Sequence, residues 1–336
     1  IPLLGITGSN GKTSTKELVN CVLSSQYKVL CTEGNLNNHI GVPLTLLKLK
    51  TEHEIAIIEM GANKLKDIDE LCQIAAPTHG LITNIGKAHL EGFINFEGVL
   101  RTKSELYDHV AQNKGVLFIN ADDPVLTNAA QNRGCQLLNY GEQNGDIRGE
   151  LNYLDPFVHF SWRFEAYQSE IVDTKMVGKY NFYNFLAALR VGLHFGIVPA
   201  KMNEALAQYI PNNKRSQVEK TANNTVIIDC YNANPSFIEM QHPHKIAILG
   251  DMLELGAEGP SEHQKVLDFL IANDIEFITV GKIFKECNQH GFIDVAALSE
   301  TLQSRALKEH LILLKGSRGI ALEQVLAYLK LRSVLH

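Results

Sequence analysis

The chain has 336 residues and a mass of 37.3 kDa, which is enough for about two domains. Apolar residues make up 45% of it and charged residues 20%, a balance typical of folded globular proteins. With 31 basic and 37 acidic residues the formal net charge is −6, which argues against a nucleic-acid partner or a protein held on anionic membranes. No run approaches about 18 apolar residues, so we expect no membrane insertion.

The cysteines are widely spaced along the chain, at Cys21, Cys31, Cys72, Cys135, Cys230 and Cys287. None of them forms a CxxC pair, which argues against a zinc ribbon and against a dithiol redox site. This wide spacing without CxxC pairs fits a reducing compartment, so we expect a cytoplasmic protein.

The first part of the chain alternates short apolar strands with amphipathic helices. The predicted order is strand Leu3–Ile6, helix Lys12–Leu23, strand Ile55–Glu59, helix Asp67–Ala75, strand Leu81–Ile85, helix Phe96–Val110 and strand Val116–Asn120. Apolar strands that alternate with helices predict a parallel sheet covered on both faces. Residues 134–176 contain Gly, Asn and alternating aromatic residues, and they predict antiparallel strands added to this sheet. Helices are predicted next, at Asn181–Phe195 and Pro199–Tyr209.

A polar, proline-containing stretch, Ile210–Ser216, marks the predicted domain boundary. A second α/β pattern follows it. The predicted strands are Val226–Cys230, Lys245–Leu249, Phe277–Val280 and Leu311–Leu314, and the predicted helices are Ser261–Asn273, Ser299–His310 and Leu322–Leu331. We therefore predict an α/β protein with a mostly parallel domain over residues 1–213 and a smaller Rossmann-like C-terminal domain over residues 214–336.

A glycine-rich segment, GITGSNGKT (5–13), joins the first predicted strand to the first predicted helix. Its glycines let backbone N–H groups close around phosphate oxygens, and the start of the helix adds its positive dipole. In such a loop Lys12 bridges the outer phosphates and the Thr13 hydroxyl binds Mg²⁺. The spacing departs from GxxxxGK[ST] because Ile6 replaces the first glycine, so a simple helix-starting turn stays the alternative. The predicted nucleotide-binding residues here are Gly8, Ser9, Asn10, Gly11, Lys12, Thr13 and Ser14.

Further side chains are candidates to hold a metal ion near this loop. Glu59 ends a predicted strand, and the carboxyl ends of parallel strands face the ligand crevice, where a carboxylate can bind Mg²⁺. His89 follows the next predicted strand, so we expect it at the same edge. A helix-capping role for Glu59 and a structural role for His89 stay open. Lys103 lies on a predicted helix, where a lysine judged by residue type alone is a solvated charge.

Together these segments resemble the Mur ligase family, the ATP-dependent amide-forming enzymes of peptidoglycan precursor synthesis. The resemblance spans essentially the whole chain. It rests on GITGSNGKTSTKE (5–17), TEGNLNNHIGVPLTLL (32–47), IEMGA (58–62), NIGKAHLEGF (84–93), TKSEL (102–106), GKYNFYNFLAAL (178–189), DCYNANP (229–235), LGDMLELG (249–256) and KGSRG (315–319). The IEMGA, YNANP and GDMLELG segments favour the branch of the family that adds D-alanyl-D-alanine to UDP-N-acetylmuramoyl-tripeptide.

The resemblance implies a P-loop-type central ATPase domain over residues 1–213, with ATP and Mg²⁺ as cofactors. The matching catalytic residues are Lys12, Glu59, His89 and Lys103. Lys103 matches a carbamylated lysine, which forms when a neutral amine adds CO₂ and which then helps Thr13, Glu59 and His89 to hold Mg²⁺. The γ-phosphate of ATP would activate the substrate carboxylate as an acyl phosphate, and the amine of the second substrate would attack it. Because an acyl phosphate hydrolyses in water, we expect the C-terminal domain to close over it, with a hinge near residues 210–216.

The resemblance also implies nucleotide and substrate contacts. Asn181 and Asn184 match a pair of asparagines, one of which would read adenine. A loop of the C-terminal domain would reach the nucleotide through Asp229, Tyr231, Asn232 and Asn234, with Asp229 on the ribose. The implied substrate contacts are Asn35, Asn38, Arg215, Lys315 and Arg318. For these outer residues, turn-forming and helix-starting roles stay open.

The sequence departs from the family pattern at two places. Nothing before Ile1 matches the N-terminal domain that grips the UDP-sugar, so we expect that part of the natural protein to be absent here. After NANP we expect a full helix, but Ser236–His244 is too short for a helix and a turn, so we expect residues to be missing there as well.

Two alternatives remain open. A related amide ligase, of another Mur type or of the folylpolyglutamate type, would share the loop and the metal-binding residues but would take a different amine. A non-catalytic nucleotide-binding paralogue would keep the fold without the chemistry. For the favoured ligase we expect a monomer with small-molecule substrates, UDP-muramoyl-tripeptide and D-Ala-D-Ala. The sequence identifies neither the third residue of the acceptor peptide nor the dipeptide contacts.

Overall fold

The structure is a computed structural model that describes residues 1–86, 95–154, 156–211, 217–228, 237, 240, 242–253, 255–304 and 307–330. The chain forms two compact units. The first comprises Ile1–Tyr153, Val158–Thr174 and Tyr180–Tyr209, and the second comprises Leu154–Phe157, Lys175–Lys179 and Ile210–His336. Two short segments between residues 154 and 179 thus belong to the second unit, and the sequence pattern did not predict this assignment.

Within the described residues, the larger sheet has ten strands. They are β1 (Leu3–Thr7), β2 (Val29–Cys31), β3 (Ile55–Glu59), β4 (His79–Ile82), β5 (Val116–Asn120), β6 (Gln136–Gly141), β7 (Ile147–Leu154), β8 (Phe157–Phe164), β9 (Tyr167–Gln168) and β10 (Val172–Val177). The helices of the first unit are α1 (Lys12–Ser24), α2 (Gly41–Leu46), α3 (Asp67–Ala75), α4 (Phe96–Gln112), α5 (Pro124–Ala130), α6 (Phe182–His194) and α7 (Pro199–Gln208).

The strand order of this sheet is β10-β8-β7-β6-β5-β4-β1-β3-β2, and β9 pairs with β8. Strand β1 pairs in parallel with β3 on one side and with β4 on the other. After β1 the chain continues to β2 and β3 on one side of that strand, and then to β4 on its other side. Such a reversal of strand order opens a ligand crevice at the carboxyl ends of the strands. Every residue of β1 and of β3 is buried, as expected for central strands covered on both faces.

Helices cover this sheet through apolar stripes at helical spacing. Helices α3 and α4 contribute Ile68, Leu71, Leu106 and Val110 to one buried cluster, together with strand residues such as Ile58. Helix α1 packs against α6 and α7. Burial of these side chains, at roughly 1.5–3 kcal/mol for each large one, stabilises the first unit.

The second unit contains a five-stranded sheet in the order β11-β12-β15-β13-β14. Its strands are β11 (Gln217–Lys220), β12 (Asn224–Ile228), β13 (Lys245–Gly250), β14 (Glu276–Val280) and β15 (His310–Lys315), and its helices are α8 (Gly259–Ala272), α9 (Lys282–Cys287), α10 (Val295–Ser304) and α11 (Leu326–Lys330). All pairs are parallel except the one between β11 and β12. Successive residues of β15, such as Leu313 and Leu314, belong to different apolar clusters, so both faces of this sheet are covered.

The predicted α/β class is confirmed, while several predicted elements differ in position or direction. Strand β6 pairs in parallel with β5, and β7 pairs in parallel with β6, so the prediction of antiparallel strands across residues 134–176 is wrong for them. It is correct for the pair β8 and β9. The strand predicted at Leu81–Ile85 is β4, which ends at Ile82 and releases the next residues into a loop.

The helix predicted over Ser299–His310 is wrong in its second half, because helix α10 ends at Ser304 and His310 begins β15. The Asn224 side chain explains the change of direction. Its Nδ2 donates to the Leu307 carbonyl (2.9 Å) and its Oδ1 accepts from the His310 amide (3.1 Å). Contacts from a distant strand therefore override the local helical pattern. Among the helices of the described residues, none is both long and apolar enough to cross a membrane.

A histidine pair links β4 to α6, and in it His79 is buried whereas His194 is partly buried. The Nε2 atoms of His79 and His194 lie 3.0 Å apart, so one ring must donate and the other must accept. His79 Nδ1 lies 2.8 Å from Thr78 Oγ1, and the His79 ring stacks on Phe118. Burial, with a smaller effect from His194, lowers the pKa of His79 to about 4. The native fold therefore holds this imidazole neutral.

We expect the protein to lose stability as the pH falls from about 6.5 toward 4. Histidine in the unfolded chain takes up a proton near pH 6.5, but folded His79 does so only near pH 4, so the unfolded state binds more protons in this window. The loss amounts to about 3 kcal/mol. Urea unfolding at several pH values should show a weaker acid dependence in His79→Gln than in the wild type. The exposed His290→Gln is the control, and equal acid dependence in all three proteins would contradict the prediction.

Candidate active site

The loop between β1 and α1 has the shape of a phosphate cradle. Gly8 (φ 145°) and Gly11 (φ 79°) adopt backbone conformations that residues with a side chain rarely take. A Cβ atom on Gly8 would overlap the Thr83 hydroxyl. Gly11 is the N-cap of α1, and it offers no side-chain acceptor to the first amide groups of the helix, which a phosphate can then bind.

Residues that follow β4 fix this loop in place. Asn84 Oδ1 accepts from the Asn10 amide and Asn84 Nδ2 donates to the Asn10 carbonyl, each at 3.0 Å. Thr83 Oγ1 donates to the same carbonyl (2.5 Å), and the Gly86 amide donates to Ser9 Oγ (2.8 Å). Sequence reasoning missed Thr83 and Asn84 as supports, although Asn84 opens the NIGKAHLEGF segment and could have been found from it.

Lys12 lies across the loop that it follows. Its Nζ donates to the carbonyls of Gly8 (2.7 Å) and Ser9 (3.1 Å). The ammonium is therefore held at the rim of the phosphate cradle. From this position it can reach an anion in the loop with a rotation of its side chain.

Glu59 stands at the carboxyl end of β3, beside the loop. Its Oε1 accepts from Thr13 Oγ1 (3.2 Å) and from Asn37 Nδ2 (2.9 Å). Its Oε2 is buried and has no hydrogen-bond partner among the described residues. A buried carboxylate oxygen without a donor is unfavourable, whereas oxygen ligands of this kind suit Mg²⁺, so this pair of side chains fits the ion. In the described part of the chain no three His, Cys, Asp or Glu residues form a metal cluster, so the fit depends on Glu59 and Thr13.

The segment Thr32–Leu47 contributes a residue that sequence reasoning missed. Asn37 bonds to Glu59 through its side chain, and its carbonyl accepts from the Gly61 amide (2.7 Å). The predicted substrate residues lie on either side of it. Asn38 Oδ1 accepts from the amides of Ile40 (3.1 Å) and Gly41 (2.9 Å) and so starts α2, while Asn35 is exposed. The observed bonds of Asn38 are those of the turn-forming alternative, and its substrate contact stays a prediction.

Lys103 is buried on α4, with 4% of its surface exposed. Burial, and to a smaller extent the Lys12 ammonium, lowers the pKa of Lys103 to about 7. A large share of this amine is therefore neutral at physiological pH, whereas an ordinary lysine is almost fully charged. Only the neutral amine can add CO₂, so this environment fits the predicted carbamate.

Asn181 and Asn184 form a buried pair beneath the loop. Asn184 Oδ1 accepts from Thr15 Oγ1 and Asn184 Nδ2 donates to Asn181 Oδ1, both at 2.9 Å. A Cβ atom on Gly11 would lie 3.1 Å from Asn184 Oδ1. The pair thus joins the start of α6 to α1 next to the phosphate cradle, and its reading of adenine stays a prediction.

Several predicted residues lie outside the described part of the chain. They are His89, Arg215, Asp229, Tyr231, Asn232 and Asn234, and the side chain of Arg318 is also undescribed. Four of the nine residues from Ser236 to His244, where the sequence predicted a gap, are undescribed as well. Lys315 is described, and it is a buried residue at the end of β15 in the second unit.

The LGDMLELG segment has a structural role that sequence reasoning did not anticipate. Asp251 follows β13 and accepts from the amides of Ile283 (3.0 Å) and Phe284 (2.9 Å) at the start of α9. His263 donates from Nδ1 to the Gly259 carbonyl (2.7 Å) and accepts at Nε2 from the Met252 amide (3.0 Å). Together these bonds fix the loop that leaves β13.

Comparison with known proteins agrees with this site. The profile of the Mur ligase middle domain matches residues 6–192, which include the phosphate loop, Glu59, Lys103 and the Asn181–Asn184 pair. The chain therefore belongs to the Mur ligase family. It is 32% identical to the UDP-N-acetylmuramoyl-tripeptide–D-alanyl-D-alanine ligase of Bacillus subtilis (strain 168), over 96% of this chain and 74% of the relative.

Solved structures from the same branch of the family are similar to this chain. MurF from Acinetobacter baumannii superimposes with a TM-score of 0.86 at 30% identity, over 98% of this chain and 76% of that one. MurF from Thermotoga maritima, solved in complex with ADP, superimposes with a TM-score of 0.84 at 27% identity, over 98% of this chain and 79% of that one. The chain thus spans about three quarters of the length of these relatives.

We expect Gly8→Ala to abolish tight nucleotide binding while the fold survives. The added Cβ would displace the Thr83 hydroxyl, which also holds Asn10, and the left-handed backbone would be strained. Calorimetric titration with ADP should show at least about tenfold weaker binding, equal to about 1.4 kcal/mol. Gly259→Ala is the matched control, because its Cβ would make only ordinary contact with Ile283. Wild-type ADP affinity in Gly8→Ala would contradict this account of the loop.

Proposed function

We propose that this chain carries the ATP-using part of a ligase that joins D-alanyl-D-alanine to UDP-N-acetylmuramoyl-tripeptide in peptidoglycan precursor synthesis. The observation that supports this most is the juxtaposition of a phosphate cradle with Glu59, whose Oε1 bonds Thr13 and whose Oε2 is buried without a described donor. The identity of about 30% to enzymes named for this reaction, over most of the chain, supports the same substrates. The products are the amide, ADP and phosphate.

The phosphate loop and Lys12 prepare ATP for attack by a carboxylate. The N-terminus of α1 and the Lys12 ammonium neutralise charge on the phosphates. A carboxylate of the muramoyl tripeptide attacks the γ-phosphate and forms an acyl phosphate, with ADP as the leaving group. The free amine of D-Ala-D-Ala then attacks the acyl carbon through a tetrahedral intermediate, and phosphate leaves. Both steps depend mainly on positioning and on charge neutralisation.

Glu59, Thr13, His89 and Lys103 are the residues that we propose to hold Mg²⁺. A bound Mg²⁺ would supply charge neutralisation to the phosphates during transfer. We further propose that Lys103 reacts as a neutral amine with CO₂, forming an N–C bond and releasing a proton, and so becomes a carbamate. Its burial and its lowered pKa support this.

We assign the remaining predicted contacts to the same reaction. Residues 1–213 would form the central ATP-binding domain and residues 214–336 the C-terminal domain. Either Asn181 or Asn184 would read adenine, and Asp229, Tyr231, Asn232 and Asn234 would reach the nucleotide. Asn35, Asn38, Arg215, Lys315 and Arg318 would contact substrate. We also propose a monomer, and a cytoplasmic location that the free cysteines among the described residues support.

We expect ADP release by the full-length gene product to depend on D-Ala-D-Ala. The assay supplies Mg²⁺-ATP, bicarbonate and UDP-muramoyl-tripeptide, and it measures ADP with and without the dipeptide. The amine is needed because only its attack completes the turnover. Mass spectrometry of the product identifies the amide.

Other amines separate the alternatives in the same assay. ADP release driven by glutamate or by a single amino acid would keep the mechanism and change the substrate. Nucleotide binding without ADP release in the presence of any amine would favour the non-catalytic paralogue. Diaminopimelate and lysine forms of the tripeptide, compared side by side, would identify the acceptor.

We expect Lys103→Ala to lower turnover by at least about a hundredfold, because the proposed carboxylate ligand is lost. Short carboxylic acids such as acetate should restore part of the activity by entering the vacated space. Lys265→Ala is the control, since Lys265 is an exposed lysine that pairs with Glu262 on α8. Full activity of Lys103→Ala without any added carboxylate would contradict the carbamate.

A further inference from the structure

Lys16 is a charged residue that the proposed reaction does not use, although it is buried beside the site. It lies on α1, one turn beyond Lys12, and its side chain has no exposed surface. Its Nζ pairs with Glu17 Oε1 (2.6 Å) and donates to the Thr32 carbonyl (2.7 Å). A buried ammonium is unfavourable for folding unless it is well paired, so its position calls for a role.

Thr32 connects this ammonium to Glu59. It follows β2, and its Oγ1 accepts from the Glu59 amide (3.0 Å), while its own amide donates to the Ile57 carbonyl (3.0 Å). Strand β2 ends at Cys31, so the Thr32 hydroxyl supplies the acceptor that a longer strand would have provided from its backbone. The end of β3 is thus held by Thr32, and Thr32 is held by Lys16.

We propose that Lys16 is a positioning residue for the divalent-cation site, acting through Thr32 on the backbone that presents Glu59. The proposal rests on the metal-ligand role proposed for Glu59. The Glu59 side chain is also held by Thr13, which lies on the same helix as Lys16. Helix α1 therefore contacts both the carboxylate of Glu59 and, through Thr32, its main chain. Outer residues of this kind commonly change metal affinity by about 10- to 100-fold.

The test measures metal binding directly rather than turnover. Mn²⁺ is titrated into the ADP complex of the full chain, and free Mn²⁺ is read by electron paramagnetic resonance. Lys16→Met should weaken Mn²⁺ binding by about tenfold, while the affinity for ADP without metal stays at the wild-type value. A residue that only stabilises the fold would leave both affinities unchanged in the folded protein. Lys28→Met, at an exposed lysine immediately before β2, is the control.

Variants of Thr32 test the same proposal by a second route. Thr32→Val removes the acceptor for the Glu59 amide with little change of shape, and Thr32→Ser retains it. We expect Thr32→Val to weaken Mn²⁺ binding as Lys16→Met does, and Thr32→Ser to bind like the wild type. The double variant Lys16→Met with Thr32→Val should lose no more than either single variant, since both break one chain of contacts.

The outcomes separate this inference from the proposed function. Wild-type Mn²⁺ affinity in folded Lys16→Met would overturn the role of Lys16. If Lys16→Met does not fold, equal Mn²⁺ affinity in Thr32→Val and Thr32→Ser would overturn it instead. Glu59→Gln is measured in parallel. Wild-type Mn²⁺ affinity in Glu59→Gln would refute the metal-ligand role itself, whereas loss in Glu59→Gln without loss in Lys16→Met would refute only the present inference.

Discussion

The parallel pairing of β1 with both β3 and β4 is the constraint on which the candidate site depends. It brings Thr7, Glu59 and Ile82 to the same edge of the sheet, although they are far apart in the sequence. The loop after β1 then lies between the carboxylate that ends β3 and the Thr83–Gly86 segment that follows β4. Because each strand is buried over its whole length, the register cannot slip without exposing apolar side chains.

The site gathers charges that folding alone would not favour. Glu59 and Lys103 are almost fully buried, and Lys16 is completely so. Each carries a desolvation cost of several kcal/mol unless partners offset it. Lys16 has two close partners, whereas the lowered pKa of Lys103 and the lack of a donor to Glu59 Oε2 among the described residues indicate incomplete compensation. Incomplete pairing of this kind is typical of groups whose partner is a ligand. It distinguishes Glu59 and Lys103 from the members of ordinary structural ion pairs.

The sequence was sufficient for the α/β class, for the glycine-rich turn between β1 and α1 and for the position of Glu59 at the end of β3, because each depends on a local pattern. The sequence was insufficient where contacts between residues far apart in the chain determine the structure. The end of α10 is determined by Asn224 on another strand, and the parallel addition of β6 depends on its pairing with β5. The roles of Asn37, Thr83 and Asn84 depend on distances that spacing in the sequence does not encode, although Asn37 and Asn84 lie in segments that the family resemblance had marked.

The same hydrogen bonds that shape the loop also limit how the site can change. Asn84, Thr83 and Ser9 hold the loop to the end of β4, and Asn184 holds the first turn of α1 to α6. A cradle held on both sides before nucleotide binds loses little conformational freedom on binding. The Lys12 side chain is less constrained than this backbone. It donates to carbonyls of its own loop, and it must exchange these hydrogen bonds for hydrogen bonds to phosphate oxygens when nucleotide binds. The backbone of the site is therefore built in advance, and the adjustment that nucleotide binding demands falls on the Lys12 side chain.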